Sequence, residues 1–318
     1  MNYDLFNGDA DGICALIQLR LAEPRDATLV TGVKRDINLL ARVEAAPGDD
    51  ITVLDVSMDK NRAALDTVLA AGAKVFYVDH HFPGEIPDHA GLTSIINEAP
   101  DVCTAALVNG HLGGAHVDWA VTGAFGDNLK DTARTLARDL ELSAADLASL
   151  ERLGTCINYN GYGPAIEDLH FDPEELYRRL YAAGSPLEFV SASPDFTRLA
   201  QGYDADMAQA AALQPVHASE SVAVFMLPDE AWARRVSGVY SNDLATDNPG
   251  RAHAVLTRKA NGNYLVSVRA PLSNKQGAAE LCMQFPTGGG RAAAAGINDL
   301  PEGSLESFTS AFAEAYSG

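Results

Sequence analysis

Over its first eighty residues the chain alternates short apolar runs with helical patterns, and acidic motifs stand where the runs end. Residues 3–6, 28–33, 51–56 and 73–78 read as strands. Residues 14–21, 37–44 and 60–71 read as the helices between them. This alternation predicts a parallel sheet with crossover helices. Ligands of such sheets bind at the carboxyl ends of the strands. Asp9-Ala10-Asp11-Gly12, Asp55 and Asp79-His80-His81 all fall there.

Beyond the sheet, residues 131–153, 173–183 and 194–213 have helical periodicity, and Pro215 ends the last. A second domain follows. Its expected strands are 221–227, 252–258 and 264–270, with helices at 230–240, 277–284 and 304–316. Asn261-Gly262-Asn263 is a hairpin signal between the second and third strands. The expected division is a catalytic domain at 1–192, a helical linker at 193–216 and a substrate-binding domain at 217–318. The fold class is α/β: an N-terminal parallel-sheet domain and a smaller C-terminal α/β domain with a mixed sheet.

Charge narrows the partners. The net charge is −20. Before the cut between Gln214 and Pro215 there are 15 basic and 33 acidic residues, and after it 8 and 10. The acidic excess therefore lies in the half that carries the aspartate motifs. Long nucleic acid requires a broad basic footprint, so long duplexes are not expected partners. A short anionic substrate needs only a few well-placed cations. No apolar run reaches the roughly eighteen residues of a membrane span. Met1-Asn2-Tyr3-Asp4 has neither a basic segment nor an apolar signal core, so the expected location is cytoplasmic. Cys14, Cys103, Cys156 and Cys282 are far apart and read as reduced thiols. A homodimer stays open.

Asp9 and Asp11, two residues apart on a turn, can point to neighbouring positions and hold adjacent cations. Gly12 permits the tight exit into the next helix. The bland alternative is a polar turn with a helix cap. Asp204-Ala205-Asp206 repeats the tripeptide inside a helical pattern, with no strand before it, and reads as a solvated helix face. One acid and two imidazoles at a strand end are harder to dismiss. Asp127, after an apolar run and Gly126, reads as a fourth carboxylate at a strand end. Together these motifs point to one metal site assembled from distant parts of the chain.

In this order the motifs resemble those of the DHH phosphoesterase superfamily, in its subgroup with a C-terminal DHHA1 domain. Asp9-Ala10-Asp11-Gly12 is similar to the first motif, Asp55 to the second, Asp79-His80-His81 to the naming motif and Asp127 to the fourth. Cys103-Thr104-Ala105 resembles a small polar turn after the third motif. The segment from Cys156 through Asn158 to Gly161 resembles one that follows the fourth. Gly288-Gly289-Gly290-Arg291, then Ala294-Ala295-Gly296, resembles the DHHA1 signature.

The resemblance implies two divalent cations. Asp9 and Asp55 would serve one; Asp11, Asp55, His80 and Asp127 the other. Carboxylates with one imidazole suit Mn²⁺ better than Zn²⁺. Two metals about 3.5–4 Å apart can clamp a phosphoryl group. His81 would then sit near the phosphate or protonate the leaving oxygen, with Asp79 orienting an imidazole.

Two departures stand out. Many members have a histidine just before the first aspartate pair; here the stretch is Leu5-Phe6-Asn7-Gly8, and Asn7 could ligate only through its amide oxygen. The usual signature also ends in histidine, where this chain has Arg291, which can fork onto a phosphate. The Gly288-Gly289-Gly290 loop before an Ala run is expected to cradle an anion at a helix start. Ser267 and Arg269 share one face of a strand and, with Asn158, are candidate substrate contacts.

The expected activity is hydrolysis of short oligonucleotides or linear dinucleotides to mononucleotides. Alternatives are a cyclic-dinucleotide phosphodiesterase, an exopolyphosphatase, a RecJ-like single-strand exonuclease, or a non-catalytic nucleotide-binding module.

Overall fold

The alternating runs build a five-stranded parallel sheet in the computed structural model, which describes residues 1–317. Its strands are β1 (Asn2–Phe6), β2 (Thr28–Val30), β3 (Asp50–Leu54), β4 (Lys74–Asp79) and β5 (Leu92–Ile96), in the order β2-β1-β3-β4-β5. The chain leaves β1 for β2 on one side and returns to β3 on the other. Connections that diverge in this way open a crevice beyond the carboxyl ends of the two central strands. Asp9 follows β1 and Asp55 follows β3.

Helix α1 (Ala10–Ala22) follows β1 and α2 (Met58–Ala70) follows β3. Under α2, one face of the sheet buries Leu5, Ile51, Val53, Val75 and Tyr77 against Leu39, Leu40 and Val43. The helix expected at 37–44 is only a 3₁₀ turn, Leu40–Arg42. Asn61 of α2 explains the difference. Its amide donates to the Ile37 carbonyl and accepts from the Leu40 N–H, taking backbone groups that a helix would pair for itself.

The rest of the first unit is helical: α3 (Thr104–His111), α4 (Val117–Gly126), α5 (Lys130–Leu136), α6 (Ala144–Gly161), α7 (Pro173–Ala183), α8 (Pro186–Ala192) and α9 (Pro194–Ala211). The span 131–153 is thus not one helix. A capping box between Ser143 and Asp146 starts α6 afresh. α3, α4, α6 and α7 pack around α1, which is buried from Ala10 to Arg20. This explains why its sequence is apolar on nearly every side. Asp4, buried in β1, accepts both Nε and Nη2 of Arg20 and also Nη2 of Arg25.

The chain divides into two compact units inside α9, between Gly202 and Tyr203. The second holds a six-stranded mixed sheet, ordered β10-β11-β9-β8-β7-β6. Its elements are β6 (His217–Ala218), β7 (Val222–Leu227), α10 (Ala231–Asp247), β8 (Ala252–Arg258), β9 (Tyr264–Arg269), α11 (Ala278–Cys282), β10 (Gly288–Gly290), β11 (Ala294–Leu300) and α12 (Leu305–Ala315). β7 and β8 are parallel; the other pairs are antiparallel. The fold class read from the sequence is the one observed.

Two local readings are corrected here. The glycine run forms β10 and the end of the Ala run opens the antiparallel strand β11, so no helix starts at Gly288-Gly289-Gly290. Ala295, Ile297 and Leu300 enter the core with Phe308 and Phe312, and this packing overrides the helical preference of alanine. Arg291 lies at the exposed turn between the strands. Asp206 is not on a solvated face. It is 5% exposed and bound to the Arg235 guanidinium through Nε and Nη2. No described helix is long and apolar enough to cross a membrane.

Candidate metal centre

Four chain segments converge beyond β1, β3 and β4. Asp9 caps α1, its Oδ1 accepting from the Asp11 and Gly12 amides. Asp11 lies in the first turn of α1, and each of its oxygens accepts a 2.7 Å bond from the start of α3, at Thr104 N and Ala105 N. Cys103-Thr104-Ala105 therefore fixes the Asp11 carboxylate. Asp55 follows β3 with φ at +57°, a conformation that L residues with a Cβ rarely adopt. The strain costs on the order of 1–3 kcal/mol and aims the side chain into the cluster. Thr104 Oγ1 donates to Asp55 Oδ1 at 3.3 Å.

Asp127 ends α4, so its place is a helix end and not the strand end read from the sequence. It reaches the cluster because Gly126 lets α4 press against α1 and α6. A Cβ there would lie 2.2 Å from Ala10 Cβ and 2.8 Å from the Gly154 carbonyl oxygen.

His80 is the hub. Its Nδ1 lies 2.8 Å from the Val102 carbonyl, so Nδ1 is the donor and Nε2 faces the acids. Nε2 is 3.5 Å from Asp55 Oδ1, 3.9 Å from Asp11 Oδ2 and 4.0 Å from Asp127 Oδ2. These distances are long for hydrogen bonds. They match the separations of donors around a cation with bonds of about 2.0–2.2 Å. Donor atoms of Asp11, His80 and Asp127 lie within 4.8 Å of one another, as do those of Asp55, His80 and His81. In the second group the His81 nitrogen near Asp55 is Nδ1, already held at 2.7 Å by Asp79. That bond leaves Nε2 as the working nitrogen of His81, on a side chain 40% exposed.

The electrostatics fit a cation. Burial and the charges of Asp9 and Asp11 push the Asp55 carboxyl well above its usual range. Burial raises Asp127 to about 6 against the pull of Lys34. Burial alone would lower His80, but Asp55, Asp11 and Asp127 together raise it to about 10. Carboxylates that resist ionisation side by side are relieved when a divalent cation binds them.

On the Asp9 side stands a residue that sequence reading missed. Lys34 Nζ is 2.5 Å from Asp9 Oδ2 and 3.0 Å from Asn158 Oδ1. Burial would raise the Asp9 carboxyl, but Lys34 and the Gly12 amide hold it below its usual range. Asn7 donates its amide to the Lys34 carbonyl, and its buried Oδ1 has no partner among the described residues. Ser267 and Arg269 share a face of β9, where Arg269 Nη1 donates to Ser267 Oγ and Nε to Asn242.

Searches of the sequence found no matching family model and no matching curated protein. Solved structures do match. A manganese-bound RecJ exonuclease aligns over 99% of this chain and 89% of its own, with a TM-score of 0.57 and 19% identity. PggH, a pGpG-specific phosphodiesterase from Vibrio cholerae, aligns over 99% of both chains, with a TM-score of 0.59 and 16% identity. The chain shares the fold of these two proteins. RecJ from Thermus thermophilus, with Mn²⁺, aligns over 99% of this chain and 52% of its own, at a TM-score of 0.59 and 19% identity. In this shared fold, the acidic motifs of the chain stand around His80.

Proposed function

We propose that the chain is a metal-dependent phosphodiesterase acting on short oligonucleotides or linear dinucleotides. The observation that carries this reading is His80 Nε2, fixed by Val102 and ringed by Asp11, Asp55 and Asp127 at 3.5–4.0 Å. These four residues would hold the cation, and Mn²⁺ suits their oxygen-rich set. Such a cation, when bound, supplies Lewis acidity toward a phosphoryl oxygen and acidifies a water. His81, oriented by Asp79, has Nε2 available to give a proton to the leaving oxygen. A two-metal centre would place its second cation on Asn7 and Asp9. Asn158, Ser267, Arg269 and Arg291 are proposed phosphate contacts, and the Gly288-Gly289-Gly290 backbone lies beside the last.

The small-substrate reading rests on the concentration of acidic charge before residue 215 and on the likeness to a pGpG phosphodiesterase. A panel of pGpG, short RNA, cyclic dinucleotides, long single strands and polyphosphate, each with Mn²⁺ and with chelator, tests it. Fastest chelator-sensitive cleavage of the shortest linear substrates is expected. Processive degradation of long strands at a higher rate would favour the exonuclease instead.

A further inference from the structure

Asp9 has little left to offer a metal. One oxygen caps α1 with two backbone donors, and the other carries the Lys34 ammonium. Neither metal-compatible group found among the described residues includes Asp9, and both share His80. In one of them the His81 nitrogen beside Asp55 is Nδ1, which Asp79 already holds. The compact donor groups therefore centre on His80, while the Asp9 carboxylate, which also meets the Asp55 side chain, stands outside them.

Lys34 is not a stray surface lysine. Its N–H donates to the Gly161 carbonyl and its carbonyl accepts from Asn7. Its side chain, 23% exposed, is held at the tip by Asp9 and Asn158. An ammonium there brings positive charge without needing ligands. Asn7 Oδ1, the neutral acceptor left on this side, is a poor anchor for a dication by itself.

We propose that Lys34 takes the place of the second cation, so that the centre binds one divalent ion and completes its phosphate-facing charge with a lysine. This rests on the phosphodiesterase reading above and revises only its metal count.

The test is Mn²⁺ stoichiometry on the full metal-free chain, by equilibrium dialysis with elemental analysis and by electron paramagnetic resonance. Wild type is expected to bind one Mn²⁺ with an uncoupled spectrum. Lys34→Ala is expected to bind two, with the broadened spectrum of a close coupled pair. Lys34→Gln, which removes the charge and, being one bond shorter, does not reach Asp9 as Lys34 does, serves if the alanine variant does not fold, and is also expected to bind two. Two coupled ions in wild type would overturn the inference. So would folded variants that stay at one ion. No bound ion at all would sink both this and the metal reading. One bound ion without phosphodiester hydrolysis would leave Lys34 standing and remove the proposed function.

Discussion

At the scale of single residues, the centre turns on His80. His80→Ala removes the nitrogen that faces three carboxylates and is expected to abolish Mn²⁺ binding, as read by calorimetry. The pH dependence has a definite sign. Without metal His80 titrates at about 10, raised by its acidic neighbours against the effect of burial. At pH 7 it therefore carries a proton that the cation must displace. Mn²⁺ affinity should rise about tenfold per pH unit between about 7 and 9, with roughly one proton released per ion, and more steeply below, where Asp127 also holds a proton. Calorimetry in buffers of different ionisation enthalpy measures that proton directly, and affinity flat with pH would contradict the assignment. His81→Ala should leave metal content intact and lower turnover by about 10²–10⁴. Asp79-His80-His81, Asp55 and the aspartate pair were legible because acids and imidazoles at strand ends have few structural uses. Lys34 was not. A single lysine after a strand has no local signature, and its meaning comes from Asp9 and Asn158, 25 and 124 positions away.

At the scale of elements, the site depends on how closely α1, α4 and α6 approach. Gly126→Ala would force a Cβ into Ala10 and Gly154, at a cost of about 1–3 kcal/mol by analogy with overpacked cores. It should also displace Asp127, so lower melting temperature and weaker Mn²⁺ affinity are expected together. β1 holds a second dependence, since Asp4 neutralises Arg20 and Arg25 under the sheet. Asp4→Ala leaves buried guanidinium charge unpaired and should cost about 3–5 kcal/mol in denaturant unfolding. The parallel sheet was readable because its runs were apolar and regularly spaced. β10 and β11 were not: glycine and alanine carry no strand signal, and β11 is a strand because Ala295, Ile297 and Leu300 enter the core, with β10 held by its pairing to β11. The 37–44 segment failed for a similar reason, as Asn61 of a distant helix decides its backbone.

At the scale of the whole molecule, the strand order β2-β1-β3-β4-β5 brings Asp9, Asp55 and His80 together from three strand ends. Helices α1, α3 and α4 add Asp11, the amides that hold it, and Asp127. Binding to the folded chain alone should stabilise it, by about 2.7 kcal/mol when free Mn²⁺ is a hundred times its dissociation constant. The melting temperature should therefore climb with Mn²⁺ in wild type and not in His80→Ala. The most direct test of a metal-dependent phosphodiesterase at this centre is the rate of pGpG hydrolysis by wild type and His80→Ala, each with Mn²⁺ and with chelator. Release of mononucleotide by Mn²⁺-loaded wild type alone is expected. Equal turnover by the chelated enzyme or by His80→Ala would contradict it.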